Sequence, residues 1–212
     1  MKSLISLGII IFALSFCNLS ETLKGLRGSS NSNSSTDLPE NTSKDGTTEE
    51  TEKAELSPEQ KTILESGQQV TWEQQGIIWI LPRGWKKMDV KKESFNYGSP
   101  DNAFLIGSIS VMPDNFPSET SLKATYESSL SQLKNGKYEK VRYLEIDGIK
   151  GVEWTETMPE ESDSPRRHQW IGFRNYQGQN QQLNIMLSTK GSNFEKHRDD
   201  FSAVMYSMKI AK

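Results

Sequence analysis

An apolar run that stops at a proline is the feature that most constrains this chain. The run reads IIWIL at residues 77 to 81, and Pro82, Arg83, Gly84 and Trp85 follow it directly. Proline donates no hydrogen bond to a neighbouring strand, and glycine adopts backbone angles that other residues avoid. The pattern therefore predicts a buried strand that ends in a tight turn.

Composition changes at about residue 70. Residues 18 to 69 hold ten acidic and five basic side chains, few apolar residues and no aromatic residue. Such a segment buries too little apolar surface to offset the entropy lost on ordering, so we predict a disordered tether over residues 17 to 69. Residues 70 to 212 hold most of the remaining apolar residues and are numerous enough to enclose one core. They are predicted to form a single domain.

The charge balance excludes one class of function. Residues 70 to 212 hold eighteen acidic and nineteen basic groups, and the whole chain has a formal charge of −3. Nucleic-acid binding by bulk charge needs a clustered basic face, which this balance does not supply. The short cluster of lysines at 86, 87, 91 and 92 is interpreted as a solvated strand face, with a weak membrane contact as the alternative. We expect no nucleic-acid partner.

The first residues have the pattern of an export signal. A basic start at Lys2 precedes an apolar stretch from Leu4 to Phe16, which is shorter than the roughly 20 residues that span a bilayer. Residues 1 to 16 are therefore predicted to be a signal peptide. Cys17 follows as the only cysteine, so it has no partner for an intramolecular disulfide.

The four residues that end at Cys17 resemble the bacterial lipobox. Leu14 and Ser15 fit that pattern, whereas Phe16 stands where a small residue is usual. The resemblance implies a lipid on Cys17 that anchors the chain to a membrane of the bacterial cell envelope, on the periplasmic or cell-surface side. Several acyl chains would make this anchor stable. The alternative is an ordinary leader, cut at a later small residue, in which Cys17 is one more apolar side chain.

Local signals place the secondary structure. Within the tether, Ser57 followed by Pro58 is typical of a helix start and predicts a short helix over residues 58 to 66. The strand at 103 to 112 is apolar on both sides and is expected to have something packed on each face. Further strands are predicted at 70–73, 77–81, 86–91, 94–97, 138–146, 149–158, 167–176, 181–189 and 207–210, and helices at 119–135 and 193–204. Asp147-Gly148 predicts a type I′ turn, and a four-residue turn is predicted at 177–180.

This order of elements resembles the PsbP-like family, which includes the extrinsic P protein of photosystem II and the Mog-type Ran-binding proteins. The resemblance covers about residues 70 to 210, and the residues that carry it are Ile80 to Trp85, Gly148 to Trp154, Arg167-His168, Leu183 to Thr189 and Phe201 to Ile210. It implies an α+β fold, an α/β/α sandwich around a twisted antiparallel sheet. It also implies a binding or assembly role without catalysis, and it does not identify the partner.

The residues themselves supply no catalytic or metal signature. There is no G-x-S-x-G, no cysteine beyond Cys17 and no phosphate-binding glycine loop. His168 and His197 are interpreted as surface or half-buried side chains, although His197 with Asp200 is a possible weak zinc pair. The acidic loop at 160–163 lacks EF-hand spacing. We predict no catalytic residue, no metal and no cofactor; carboxylate pairs that meet in space remain open.

Tryptophan supplies the candidate contact surface. Five tryptophans lie in the predicted domain, and Trp79 and Trp154 are assigned to the core. Trp85 beside the Pro-Gly turn is predicted to contact a partner together with Arg83, Lys86 and Lys87. The predicted function is a lipid-anchored accessory domain that binds a protein or envelope component. The alternatives are a small-molecule carrier or sensor with a pocket between sheet and helix, and third a hydrolase.

Overall fold

Secondary structure begins inside the predicted tether. The computed structural model describes residues 50 to 212; the predicted signal peptide, Cys17 and the tether up to residue 49 lie outside the described residues. Strand β1 (Glu52–Lys53) pairs in parallel with β7 (Tyr138–Ile146), and helix α1 (Pro58–Glu65) forms where a short helix was predicted. Its first turn is closed by a capping box between Ser57 and Gln60.

The ordered chain thus starts earlier than the composition of residues 50 to 69 predicts. The Ala54 N–H donates to the Glu145 carbonyl at 2.9 Å, and Leu64 of α1 is buried. The partners are distant in sequence: Ala54 bonds to residue 145, and α1 packs on the helix at residues 191 to 206. Tertiary partners therefore stabilise a segment whose own composition is too polar to form a core.

The proline-terminated run forms the middle strand of a small sheet. Its three strands are β2 (Gln68–Trp72), β3 (Ile77–Leu81) and the C-terminal β11 (Lys209–Ile210), in the order β11-β3-β2. A 3₁₀ turn and Gly76, whose φ is 59°, join β2 to β3. Pro82 and Gly84 then turn the chain, as the sequence predicts, and the Trp85 N–H donates to the Pro82 carbonyl at 3.3 Å.

A larger sheet of eight strands forms the centre of the domain. Its strand order is β1-β7-β8-β9-β10-β6-β5-β4, and every neighbouring pair except β1–β7 is antiparallel. The strands not yet given are β4 (Lys86–Val90), β5 (Ser94–Gly98), β6 (Phe104–Met112), β8 (Ile149–Glu156), β9 (Pro165–Tyr176) and β10 (Gln179–Lys190). The predicted α+β class with a central antiparallel sheet is confirmed, with one parallel pair at its edge.

Helices cover both faces of this sheet, as an α/β/α sandwich requires. Helix α2 (Ser118–Lys134) packs on β7, β8 and β9, where Leu122 meets Tyr143, Val152 and Trp154. Helix α3 (Gly191–Tyr206) lies on the other face together with α1. The main core forms on this second side and includes Trp72, Trp79, Phe95, Trp170, Phe194 and Phe201.

Strand β6 was predicted to be covered on both faces, and only one of its faces is buried. Leu105 and Ile109 are buried in the main core, whereas Phe104, Ile106 and Met112 on the opposite face are half-buried. The reason is the position of α2, which packs against the β7–β9 half of the sheet. An apolar residue pattern on both sides of a strand does not show how far along the sheet a covering helix extends.

The hairpin turns follow their sequence signals. Asp147 and Gly148 have φ values of 49° and 77°, so both central residues are left-handed, as a type I′ turn requires. The second long hairpin turns at Gln177 and Gly178, with φ values of 53° and 75°. Its turn is two residues long instead of the predicted four, because Gln179 and Asn180 already belong to β10. No helix in residues 50 to 212 has the length and apolar content needed to cross a membrane.

Candidate binding groove

A groove runs between the outer strands of the two sheets. Residues of β2 and of the β4–β5 hairpin line two adjoining cavities of about 330 Å³ each, which share Thr71, Lys87 and Tyr97. Two side-chain hydrogen bonds of 2.8 Å hold the walls together at one end, from the Trp72 indole to the Lys91 carbonyl and from the Gln75 amide to the Lys92 carbonyl. We call this feature the β2–β4 groove.

The β2–β4 groove has an apolar floor and a polar rim. The floor consists of Leu81, Trp85 and Tyr97, all buried, with half-buried Val70 beside them. Burial raises the pKa of Tyr97, so its phenol stays protonated at neutral pH. The rim side chains are exposed, namely Gln68, Gln69, Thr71, Glu73, Gln74 and Lys87. An apolar floor inside a polar rim is the usual composition of a protein-binding surface.

The predicted contact residues fall into two groups. Trp85 and Lys87 both line the β2–β4 groove, whereas Arg83 and Lys86 are exposed close to it without lining either cavity. Trp85 is only 8% exposed and packs edge-on against Phe201 at a centroid distance of 6.5 Å. Replacement of Trp85 would therefore change stability as well as the groove floor. Lys87 is the residue whose replacement changes the groove without disturbing the core.

The sequence alone did not reveal that every tryptophan is internal. Exposed fractions are 1% for Trp72 and Trp79, 8% for Trp85, 7% for Trp154 and 0% for Trp170. The surface of exposed aromatic rings that the contact hypothesis considered is therefore not formed by these residues. Of the five tryptophans, only Trp85 lines the groove, and it presents a small exposed part of its side chain there.

A second polar site lies within the large sheet, under α3. The Glu153 carboxylate on β8 is fully buried and accepts hydrogen bonds from the Tyr206 hydroxyl at 2.5 Å and from Arg142 Nε at 2.5 Å. His168 Nε2 lies 2.8 Å from the same carboxylate and Lys140 Nζ 3.3 Å. We call these five residues the Glu153 cluster.

The charge of the Glu153 cluster is set by two opposing effects. Burial raises the pKa of Glu153, and the hydrogen bond and charge of His168, with Lys140 and Arg142, outweigh it, so the net pKa lies well below the usual range. Burial and the Glu153 charge together raise the pKa of Tyr206. Glu153 is thus an ionised carboxylate with both oxygens engaged, which suits a structural role better than that of a general base.

Both histidines are more buried than predicted, with exposed fractions of 4% each, so the expectation of surface or half-buried side chains is wrong. His168 faces Glu153 across neighbouring strands. His197 on α3 has Nδ1 at 2.9 Å from Asp200, the predicted helical pair, and Nε2 at 3.1 Å from Asp101 without hydrogen-bond geometry. Within residues 50 to 212, no group of three or more His, Cys, Asp or Glu side chains is arranged to hold a metal ion.

A larger cavity bears on the alternative of a small-molecule carrier. It measures about 690 Å³ and lies where α2 ends beside the start of β7 and the end of β8. Tyr138, Met158 and Pro159 line it together with polar side chains such as Gln132, Lys137 and Glu160. This mixed lining differs from the predominantly apolar pocket that a carrier of small apolar molecules needs.

Comparison with protein-family models gives no match, and comparison with curated proteins gives none either. Solved structures do give matches. One is a protein of Bacteroides thetaiotaomicron, with 14% identity and a TM-score of 0.42 over 64% of this chain and 45% of that chain. This chain therefore spans less than half the length of that protein.

Two further matches cover most of the matched protein. LpqN of Mycobacterium tuberculosis, described as involved in cell envelope biogenesis, has 12% identity and a TM-score of 0.49 over 64% of this chain and 83% of that chain. Cyanobacterial PsbP (CyanoP) of Synechocystis has 16% identity and a TM-score of 0.44 over 69% of this chain and 93% of that chain. A PsbP protein, from the family that the sequence resembles, is thus among the matches. At these identities and TM-scores the likeness says nothing about function.

Proposed function

We propose that this chain is a non-catalytic binding module that holds a protein partner in the β2–β4 groove. The observation that carries the proposal is the groove itself, with a floor of Leu81, Trp85 and Tyr97 and a rim of exposed polar side chains. The polar rim supplies most of the accessible contact area and the selection, and the small apolar area of the floor adds to affinity. The engaged oxygens of Glu153 add support, because they leave that buried carboxylate without a free position for proton transfer.

Lys87 provides the test of this binding site. In cells that produce the full chain with a photo-crosslinking amino acid at Gln69, we expect one reproducible protein adduct. Lys87→Glu should reduce the adduct about fivefold, because a rim charge that changes sign loses a favourable contact of about 1 kcal/mol. The matched control is Lys134→Glu, which makes the same charge change at the exposed end of α2 and should leave the adduct unchanged.

The readout is the adduct yield by quantitative mass spectrometry, normalised to the amount of the chain. Equal adduct yields in wild type and in Lys87→Glu would exclude the groove as the binding site. A photo-crosslinker placed at Lys134 gives the background, since this residue lies on α2 and lines neither cavity of the groove.

We propose further that a lipid on Cys17 anchors the module in a bacterial cell envelope. The support is the lipobox-like sequence Leu14 to Cys17 after an apolar leader. About 34 residues then separate Cys17 from β1, which gives the domain a reach of about 29–35 Å if that segment behaves as a flexible coil.

Fatty-acid labelling tests the anchor. Cells grown with a labelled fatty acid should incorporate the label into the wild-type chain and not into Cys17→Ala, because the thiol is the acceptor. Ser20→Ala, a small change just beyond the proposed acceptor, should keep the label. Equal incorporation into wild type and Cys17→Ala, at equal protein amounts, would contradict the lipid anchor and leave the groove proposal unaffected.

A further inference from the structure

The sheets have four outer strands in the described part of the chain, and these edges differ. β1 and β11 are two residues long. β4 carries Lys86 and Lys87, and a register shift interrupts its pairing between Lys87 and Asp89. Short strands, lysines and bulges are the features that keep natural edges from pairing with other chains. β2 has none of them, since it is five residues long, regular in register and free of charged side chains.

The backbone groups of β2 that face the groove can be identified from β3. The Ile80 N–H donates to Ser207 and the Gly76 carbonyl accepts from Ala211, so the even-numbered residues of β3 point toward β11. The odd-numbered residues therefore point toward β2 and pair with Gln68, Val70 and Trp72. The alternate residues of β2, Gln69 and Thr71, direct their N–H and C=O groups away from β3. Both residues line the β2–β4 groove.

The charged residues at the rim indicate which side chains of a ligand would be favoured beside the outer edge of β2. Lys87 lines both cavities and is the only charged residue among those that line the cavity next to Trp85. Arg83 and Lys86 lie exposed near the same end. Glu73 lines the cavity at the other end. An acidic group is therefore favoured at the Trp85 end of the groove and disfavoured at the Glu73 end.

We propose that the occupant of the β2–β4 groove is an extended segment of a partner protein that pairs with β2 as an added strand. Its backbone meets the outward groups of Gln69 and Thr71, alternate side chains lie on the apolar floor, and an acidic side chain faces Lys87. This inference rests on the proposed binding function and specifies its mode. Main-chain pairing of this kind supplies affinity, and the pockets for alternate side chains supply specificity.

The length of β2 fits a short recognition segment. Five residues of strand extend about 17 Å, so the added segment would pair over a similar number of residues. The chain contains a short example of the same device at one edge of the eight-stranded sheet, where Glu52 and Lys53 add to β7 and the Glu52 carboxylate contacts Arg142. There too, strand pairing is combined with one acid–base contact.

Removal of a single backbone donor tests the pairing. Thr71→Pro removes the outward N–H of Thr71 and leaves the β2–β3 hydrogen bonds, because edge positions with an outward N–H accept proline. Thr71→Val keeps the N–H, has nearly the same size and serves as the matched control. The probe is a phage-displayed library of short random peptides, selected on the full-length protein in detergent, followed by affinity measurement with the selected peptides made synthetically.

Selected peptides should be acidic, rich in β-branched residues and without proline. They should bind wild type and Thr71→Val alike and bind Thr71→Pro about tenfold more weakly, and Lys87→Glu should also weaken them. Binding to Thr71→Pro within twofold of wild type, or a selection that yields no such peptides, would overturn strand addition. The cellular adduct at Gln69 is measured independently, so the binding function can stand while this mode fails.

Amide hydrogen exchange covers the case in which Thr71→Pro does not fold, as judged by its melting curve. In the wild-type protein with bound peptide, the amides of Gln69 and Thr71 should exchange more slowly than in the free protein. Slower exchange at Met88 on β4 with no change at Gln69 and Thr71 would place the ligand on the other wall and overturn the proposal.

Discussion

Replacement of Glu153 by glutamine is expected to lower the free energy of unfolding by about 3–5 kcal/mol, as the loss of one partner from a buried ionic group does. Glutamine has nearly the same shape but no charge, so Arg142 would lose its buried ionic partner and keep only the exposed Glu52 carboxylate, and His168 would lose the carboxylate that its Nε2 contacts. Denaturant unfolding at pH 7 measures the difference. Glu127→Gln, at an exposed position of α2, is the control and should change stability by less than about 0.5 kcal/mol.

The pH dependence of the same pair gives a second readout. The folded-state pKa of Glu153 lies below its unfolded value, which is about 4.3 for a free glutamate. Its contribution is therefore fully present above about pH 4.3 and is lost as the pH falls toward the folded-state pKa. The stability difference between wild type and Glu153→Gln should shrink as the pH falls below about 4.3. A difference that stays constant on acidification would show that Glu153 does not carry the buried charge.

Loss of the Trp170 side chain is expected to have a comparable effect, about 3–5 kcal/mol for Trp170→Ala. The indole has no exposed surface, and its N–H donates to the Leu144 carbonyl at 3.0 Å. It lies over Gly151 and Gly172, which are paired across β8 and β9. A Cβ at either glycine would come within 2.3 to 2.4 Å of the indole, so the two glycines form the slot that the ring fills.

A double-mutant cycle separates this slot from a general loss of core volume. Gly172→Ala alone should cost about 1–3 kcal/mol, because the added methyl group collides with the ring. In a Trp170→Leu background, the same substitution should cost distinctly less, since the smaller side chain leaves room for the methyl group. Equal costs of Gly172→Ala in both backgrounds would contradict the slot. Unfolding free energies of the four proteins in denaturant supply the measurement.

Local chemistry explains the parts of the fold that the sequence predicted. Pro82 and Gly84 ended the first buried strand, Asp147-Gly148 turned the long hairpin, and the apolar stripe from Leu122 placed α2 within one residue at each end. Each of these signals acts over a few residues and does not depend on what lies across the sheet. The α/β/α arrangement was predicted from the resemblance of this order of elements to the PsbP-like family.

The Glu153 cluster shows why the polar sites escaped prediction. Its members lie on three strands and a helix, and Glu153 and Tyr206 are 53 positions apart. One signal was available in the sequence, because Glu153 stands between the apolar residues Val152 and Trp154, in a stretch of β8 that the structure buries from Gly151 to Thr155. A carboxylate in such a stretch must have buried partners, although the sequence does not name them.

The β2–β4 groove escaped prediction for a different reason. Its two walls belong to different sheets, and no local pattern states how the sheets sit beside each other. Sequence analysis did select Trp85 and Lys87, which line the groove, on the strength of the Pro-Gly turn. It did not predict that the floor would include Leu81 and Tyr97, or that the neighbouring wall would be the outer edge of β2.

The short strand at the start of the described chain has a mechanical consequence. Any load that reaches the domain through the residues before Glu52 acts first on β1, whose pairing with β7 involves only two residues, and then on the eight-residue helix α1. Rupture of both would release residues 52 to 67, about 50 Å of extended chain, before the load reaches β2. The domain would thus lengthen under tension while the groove between β2 and β4 keeps its shape.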